Sequence, residues 1–412
     1  MKKNNEIKYP LVRISMTLFF PFTVLSMIFI DQSNDFFIAI GQLLGWLSFF
    51  TGFIFIWFKL NRKSIVLFLF LGVLFLKLFS KFFDVSLFET LYLIFRSIFY
   101  AISGAVLVLN QPNIIYNQTI KFVLINIIIS FFQVSGIGGN FFQILTTHGD
   151  KVYDIPFITF FTDFYSENYL IIQERPAGLL DSNVLLSLFV LFSLAFHYSK
   201  EKVNKWGTTL VSLLMVLCMA KISFLGFILT GLLVFLYGKK FHKKRFKKGL
   251  LISIVFLFLY YIIFPGLFKS NLSFFAILFS IFIRLNEIMA VLLPNLSIGD
   301  TPFFEGTPVM SWAESELVFA SGITVLILKL KKNIYLVVTF LFICFFLFLH
   351  ARKNLKKLNS LINFQSLIFI IVTGIFTFTN DVWQRPFFWM LIGFGFMPFV
   401  YYLKPKFENN NS

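Results

Sequence analysis

Seven polar residues stand out against a chain that is otherwise mostly hydrocarbon. Three are cations, Arg175, Lys221 and Arg284, and four are carboxylates, Asp181, Glu287, Glu314 and Glu316. A guanidinium binds phosphate oxygens through paired hydrogen bonds and stabilises negative charge as it grows on a phosphate leaving group. A carboxylate within reach of a hydroxyl takes its proton as the oxygen attacks. These residue types suit transfer of a group from a phosphate to a hydroxyl, with arginines in the place of a metal. Arg175 has the most pointed setting, in the run Gln173-Glu174-Arg175-Pro176-Ala177-Gly178-Leu179-Leu180-Asp181-Ser182-Asn183 at the mouth of an apolar stretch that starts at Val184. Pro176 and Gly178 break any helix ahead of that point, and Asp181 or Asn183 can cap the one that follows. A plain helix entrance with a solvated arginine would use the same residues. An arginine kept beside a membrane is costly unless it holds an anion there.

The elements that must position these groups are membrane helices. Hydrophobic residues make up 58% of the 412 and charged residues 13%, with a mean hydropathy of +0.84, so a globule of this chain would expose too much apolar surface to stay dissolved. Apolar runs long enough to cross roughly 30 Å of hydrocarbon as helix recur throughout. The expectation is an all-α, polytopic membrane protein, one integral domain over residues 1–412. The formal charge of +17 is spread over short clusters at Lys2-Lys3, Lys59 to Lys63, Lys200 to Lys205, Lys239 to Lys248, Arg352 to Lys357 and Lys404 to Lys406. Clusters placed between apolar runs are topology signals rather than a nucleic-acid surface. Both termini are expected on the cytoplasmic side.

Spans are expected near 11–30, 36–58, 64–80, 87–109 and 122–135, then near 184–198, 207–220, 222–237 and 250–264, and last near 333–349, 361–378 and 386–403. These make about twelve transmembrane helices, with Leu317 to Lys332 kept apart as a half-inserted or surface helix. Two large outer loops result, about 136–183 and 265–332, the first acidic and aromatic. Lys221 and Ser223 fall at an outer turn. Arg96, Lys77 and Lys81 lie within apolar runs, where cations face a cavity or a partner. The 63 phenylalanines read as packing and lipid-facing bulk.

The common soluble signatures are missing: GxxxxGK[ST], HExxH, a Gly-x-Ser-x-Gly elbow and a close DxD pair are all absent. Cys218 and Cys344 stand apart without CxxC spacing, and His148, His197, His242 and His350 make no ligand cluster, so neither a metal nor another cofactor is expected. The outer cations and carboxylates suit glycosyl transfer from a diphosphate-linked lipid.

The pattern Arg175-Pro-Ala-Gly178-Leu-Leu-Asp181-Ser-Asn183 opening a span resembles the Arg-x-x-Gly-(three residues)-Pro-Asn signature of the O-antigen polymerase and O-antigen ligase families. The second loop is also similar: Arg284 is followed by Pro294-Asn-Leu-Ser-Ile-Gly299, then by Glu314-Ser315-Glu316-Leu317 and Gly322. Ser311 stands where the ligases place a histidine, which favours the polymerases. Ser182 replaces the usual proline before Asn183, and Glu314 lies closer to Gly322 than the polar residue of many polymerases.

The resemblance implies a metal-independent, inverting glycosyltransferase of GT-C type in the bacterial inner membrane. It would join repeat units carried on undecaprenyl diphosphate into O-antigen or capsular polysaccharide at the periplasmic face. Donor and acceptor would both be lipid-linked glycans, and a chain-length regulator would be a further partner; nucleic acid would not. Arg175 and Arg284 would grip the diphosphate, Glu314 or Glu316 would activate the acceptor hydroxyl, Asp181 and Asn183 would orient Arg175 or cap its helix, and Lys221 would add positive charge. The alternatives are an O-antigen ligase and a flippase for the same lipid-linked unit, whose cationic cavity Arg96, Lys77 and Lys81 could line.

Overall fold

The computed structural model describes residues 3–29, 35–60, 63–82, 86–135, 176, 178–180, 183–265, 361–379 and 385–397. All regular elements among them are helices: α1 (Lys3–Phe29), α2 (Asp35–Lys59), α3 (Lys63–Phe82), α4 (Ser86–Asn110), α5 (Pro112–Ser135), α6 (Asn183–Ser199), α7 (Gly207–Cys218), α8 (Lys221–Tyr237), α9 (Lys240–Ile263), α10 (Leu361–Thr379) and α11 (Pro386–Gly395). Five contain stretches long and apolar enough to cross a membrane: Pro10–Ile28, Ile38–Lys59, Leu91–Asn110, Pro112–Phe132 and Lys240–Ile263. The described part of the protein is thus all-helical, with helices suited to a membrane. The expected span near 333–349 and the helix over Leu317 to Lys332 lie outside the described residues.

Three helices begin well before the point that hydropathy indicates, the first being α1, at Lys3 instead of near 11. α5 starts at Pro112 instead of near 122, because a proline suits the first helical position and Asn113, Asn117 and Gln118 continue the turn as polar but helix-compatible residues. α9 starts at Lys240 instead of near 250, so the lysines of the strongest basic cluster ride on its first turns. Lysine is a good helix former, and its long stem carries the charge toward water from a helix that already lies against protein.

At one end of the bundle, which we term the basic end, side chains from distant parts of the sequence meet. Arg13, Lys59 and Gln111 line one groove. Lys200 Nζ donates to Asn113 Oδ1 at 2.8 Å, and Lys239 pairs with Glu201 at 3.0 Å. Arg245 donates through Nη1 to the carbonyls of His197 (2.8 Å) and Lys200 (2.5 Å), and through Nη2 to that of Glu201 (2.7 Å). One guanidinium therefore satisfies carbonyls at the C-terminus of α6, which the helix itself leaves unpaired.

The centre of the bundle is α6. Residues 185–199 are buried on every face, the pattern of a helix enclosed by protein rather than by lipid. Neighbours α5, α7, α8, α9 and α10 surround it. Phe192 meets Phe20, Phe189, Phe196, Phe369, Phe387 and Phe394 with ring centroids 5.5–6.2 Å apart, so phenylalanine is packing material here. α4 and α11 touch backbone to backbone: a Cβ on Gly104 would strike the Met390 carbonyl, and one on Gly393 that of Ala101. In α1, Pro21 lacks the N–H that would bond the Thr17 carbonyl. Gln118 of α5 supplies the missing donor, Nε2 to Thr17 O at 2.7 Å.

Candidate functional site

The turn after Arg175 is built from Pro176, Gly178 and Leu180, all buried. Gly178 has φ +64, a left-handed conformation that glycine adopts without steric cost. The Leu179 N–H donates to Asn126 Oδ1 at 2.9 Å, while Asn126 Nδ2 donates back to the Phe122 carbonyl of its own helix at 2.8 Å. A Cβ on Gly178 would collide with that same Oδ1. Asn126 lies six residues short of Phe132, where the apolar span of α5 ends. At the α-helical rise that is about 9 Å. The turn is therefore sunk below the end of the span. Irregular backbone at such a depth is tolerated where protein buries it or a cavity receives it.

A second break lies alongside. α7 has 12 residues. It rises only about 18 Å, too little to cross the membrane. His197 Nε2 and Thr208 Oγ1, 3.0 Å apart, set the start of α7 against the last turns of α6; Cys218 Sγ and Ser187 Oγ, 3.5 Å apart, set its end against the second turn of α6. At that point Met219, with φ 49, and Ala220 reverse the chain, and α8 sets off from Lys221 back to the basic end. The sequence reads α7 and α8 as spans joined by an outer turn; the structure makes them a hairpin that enters from the basic end and bends part-way. Short apolar helices look like spans in hydropathy because their composition is that of a span. Only the register against α6 gives the depth.

A third helix starts at a similar level. α11 is ten residues long, with half-buried Arg385 as the residue before its first turn. Phe387 packs on Phe189 and Phe192, and Phe394 on Phe192 and Phe196, so α11 runs alongside α6 in the same direction. The N-termini of α6 and α8 thus lie together and face away from the basic end, and α11 starts at a similar level along α6. Each N-terminus carries unpaired N–H groups and a partial positive charge, and Lys221 and Arg385 add two full charges. Broken helices whose N-termini meet inside a bundle form a place for an anionic group.

Of the expected site residues, Asn183 is the first residue of α6 and Lys221 the first of α8, half-buried. The structure brings these two helix starts together. Arg175, Asp181, Arg284, Glu314 and Glu316 lie outside the described residues. Lys77 and Arg96 come together elsewhere, on α3 and α4, with Lys77 Nζ 5.1 Å and Arg96 Cζ 5.3 Å from the centre of the Tyr92 ring. Ser223 is fully buried beside Cys218.

Sequence reasoning missed Asn126 and Arg385. Both left a trace: Asn126 is a lone amide in the apolar run from Phe122 to Ile129, and Arg385-Pro386 repeats the Arg175-Pro176 pair at a second helix entrance. The basic-end network was also missed, including Tyr116 Oη 2.9 Å from His197 Nδ1. There, Lys200 is 7% exposed, and burial lowers its pKa from 10.5 to about 8. No family model, no curated protein and no solved structure matches this chain.

Proposed function

We propose that this protein is a polysaccharide repeat-unit polymerase of about twelve spans and GT-C-like architecture, with its basic end in the cytoplasm of a bacterial inner membrane. The observation that carries the reading is the sunken turn that follows Arg175, held by Asn126 ahead of α6, whose first turns pack against the start of α8. Such a place suits the diphosphate of a lipid whose tail stays in the bilayer. Arg175 and Arg284 grip that diphosphate, and Lys221 and Arg385 add positive charge from the helix starts beside it. Asp181 and Asn183 orient Arg175 or cap α6.

In the reaction, a hydroxyl oxygen of the acceptor glycan attacks the anomeric carbon of the donor, and the bond from that carbon to the phosphate oxygen breaks. The proton passes to Glu314 or Glu316. Undecaprenyl diphosphate leaves with its charge held by the cations, and attack from the face opposite the leaving group inverts the anomeric centre.

The test is genetic. In a deletion strain complemented with Arg175→Ala at matched expression, long glycan chains vanish while the single-repeat product persists on the cell. Normal long-chain ladders would sink the assignment. A strain lacking the protein that displays no repeat unit at all would indicate a flippase instead.

A further inference from the structure

At the opposite end from the sunken turn, a groove of about 630 Å³ opens between the start of α1, the end of α2 and the α4–α5 link. This size falls within the roughly 300–1,000 Å³ usual for small-ligand sites. Arg13, Lys59 and Gln111 line it together with Val12, Ile14 and Met16. The polar and apolar members have separate places. Val12 and Met16 are buried and make a floor, whereas Arg13 is exposed and Lys59 and Gln111 are half-buried at the rim. Gln111 is the one residue between α4 and α5; its N–H donates to the Leu107 carbonyl and its own carbonyl accepts from Ile115. Its backbone is thus fully used, and the side-chain amide is the part left to offer a ligand.

The groove also sits at a telling depth. Arg13 is in the first turn of the apolar span of α1, and Lys59 ends that of α2. Trp57 lies two residues before Lys59, with Lys63 Nζ 5.4 Å from its ring. Trp and basic residues gather where hydrocarbon meets headgroups. Among the described residues, no carboxylate lines the groove.

We propose that this groove binds the phosphate headgroup of an anionic phospholipid in the leaflet at the basic end. Arg13 and Lys59 clasp the phosphate from two helices, Gln111 donates to a headgroup oxygen, and the acyl chains run down over Ile14 into the bilayer. A lipid held there ties the α1–α2 hairpin to the α4–α5 link. The proposal is independent of the glycosyl-transfer reading and concerns the other end of the molecule.

Binding is read from the thermal unfolding midpoint of the full-length protein in a neutral detergent. Dioctanoyl-phosphatidylglycerol is expected to raise the midpoint, and dioctanoyl-phosphatidylcholine at the same concentration is not. The double variant Arg13→Gln/Lys59→Gln loses that shift and binds the anionic lipid about tenfold more weakly or worse, while Arg13→Lys/Lys59→Arg keeps it. Equal shifts with the two lipids, or a full shift retained by the double glutamine variant, would overturn the proposal. So would an equal shift with inorganic phosphate alone, which would mark a free-anion site. Should the glutamine variant fail to fold, the comparison of the two lipids and phosphate on the unsubstituted protein still decides.

Discussion

Asn126 and Leu179, 53 positions apart in the chain, are joined by a 2.9 Å hydrogen bond from the Leu179 amide to the Asn126 side-chain oxygen. Removing the acceptor leaves a half-buried N–H without its partner, at a cost of about 1–3 kcal/mol. Asn126→Leu should therefore lower the thermal midpoint and shorten or abolish the glycan ladder. Gly178→Ala should do at least as much, since it adds a left-handed alanine, at about 1–2 kcal/mol, to a clash with the same oxygen. Purified variants unfolded by heat, alongside glycan gels of complemented cells, check both. Unchanged ladders in both variants would show that the turn has no part in activity.

Arg385 should behave as a second anion-holding arginine. Arg385→Gln is expected to reduce long-chain product about tenfold or more while the protein still reaches the membrane in normal amount. Arg385→Lys should recover little, because an ammonium lacks the planar fork that grips two phosphate oxygens. Membrane immunoblots measured with the glycan ladders separate lost function from lost protein.

Arg245 serves stability instead. It donates to three carbonyls, those of His197, Lys200 and Glu201, and hydrogen bonds to a charged group contribute about 1.5–3 kcal/mol each at most. Arg245→Ala should lower the unfolding midpoint clearly, and Arg245→Lys should restore only part of it. A midpoint unchanged in Arg245→Ala would mean that water replaces the guanidinium at no cost.

The lysine at position 200 gives a pH signature of known sign. Its pKa is about 8 in the folded protein, below the ordinary 10.5, because burial disfavours the charged form. Below pH 8 both states hold the proton, and the folded state bears the cost of the buried charge. Between about pH 8 and 10.5 the unfolded chain binds more protons than the folded one, so this residue's contribution to stability rises with pH across that window. Lys200→Met should flatten that rise relative to the unsubstituted protein. Unfolding midpoints of the two, taken in parallel from pH 7 upward, measure it.

The sequence alone determined that this is a helical membrane protein, and it placed most helices to within a few residues. That was possible because the need to shield every backbone polar group from hydrocarbon leaves a long apolar run little choice but helix. It also marked the helix entrance at Asn183, since Pro176, Gly178 and a break in hydropathy are local signals, and it put Lys221 at a turn between two apolar runs. Depth was not legible. Nothing local in Gly207 to Cys218 says that α7 stops part-way; that follows from Thr208 meeting His197 and Cys218 meeting Ser187. Likewise, the partnership of Asn126 with Leu179 and the meeting of the α6 and α8 starts are decided only when the chain packs. Composition fixes how much of a helix prefers lipid, whereas the contacts of one helix with another fix where along the membrane normal it begins.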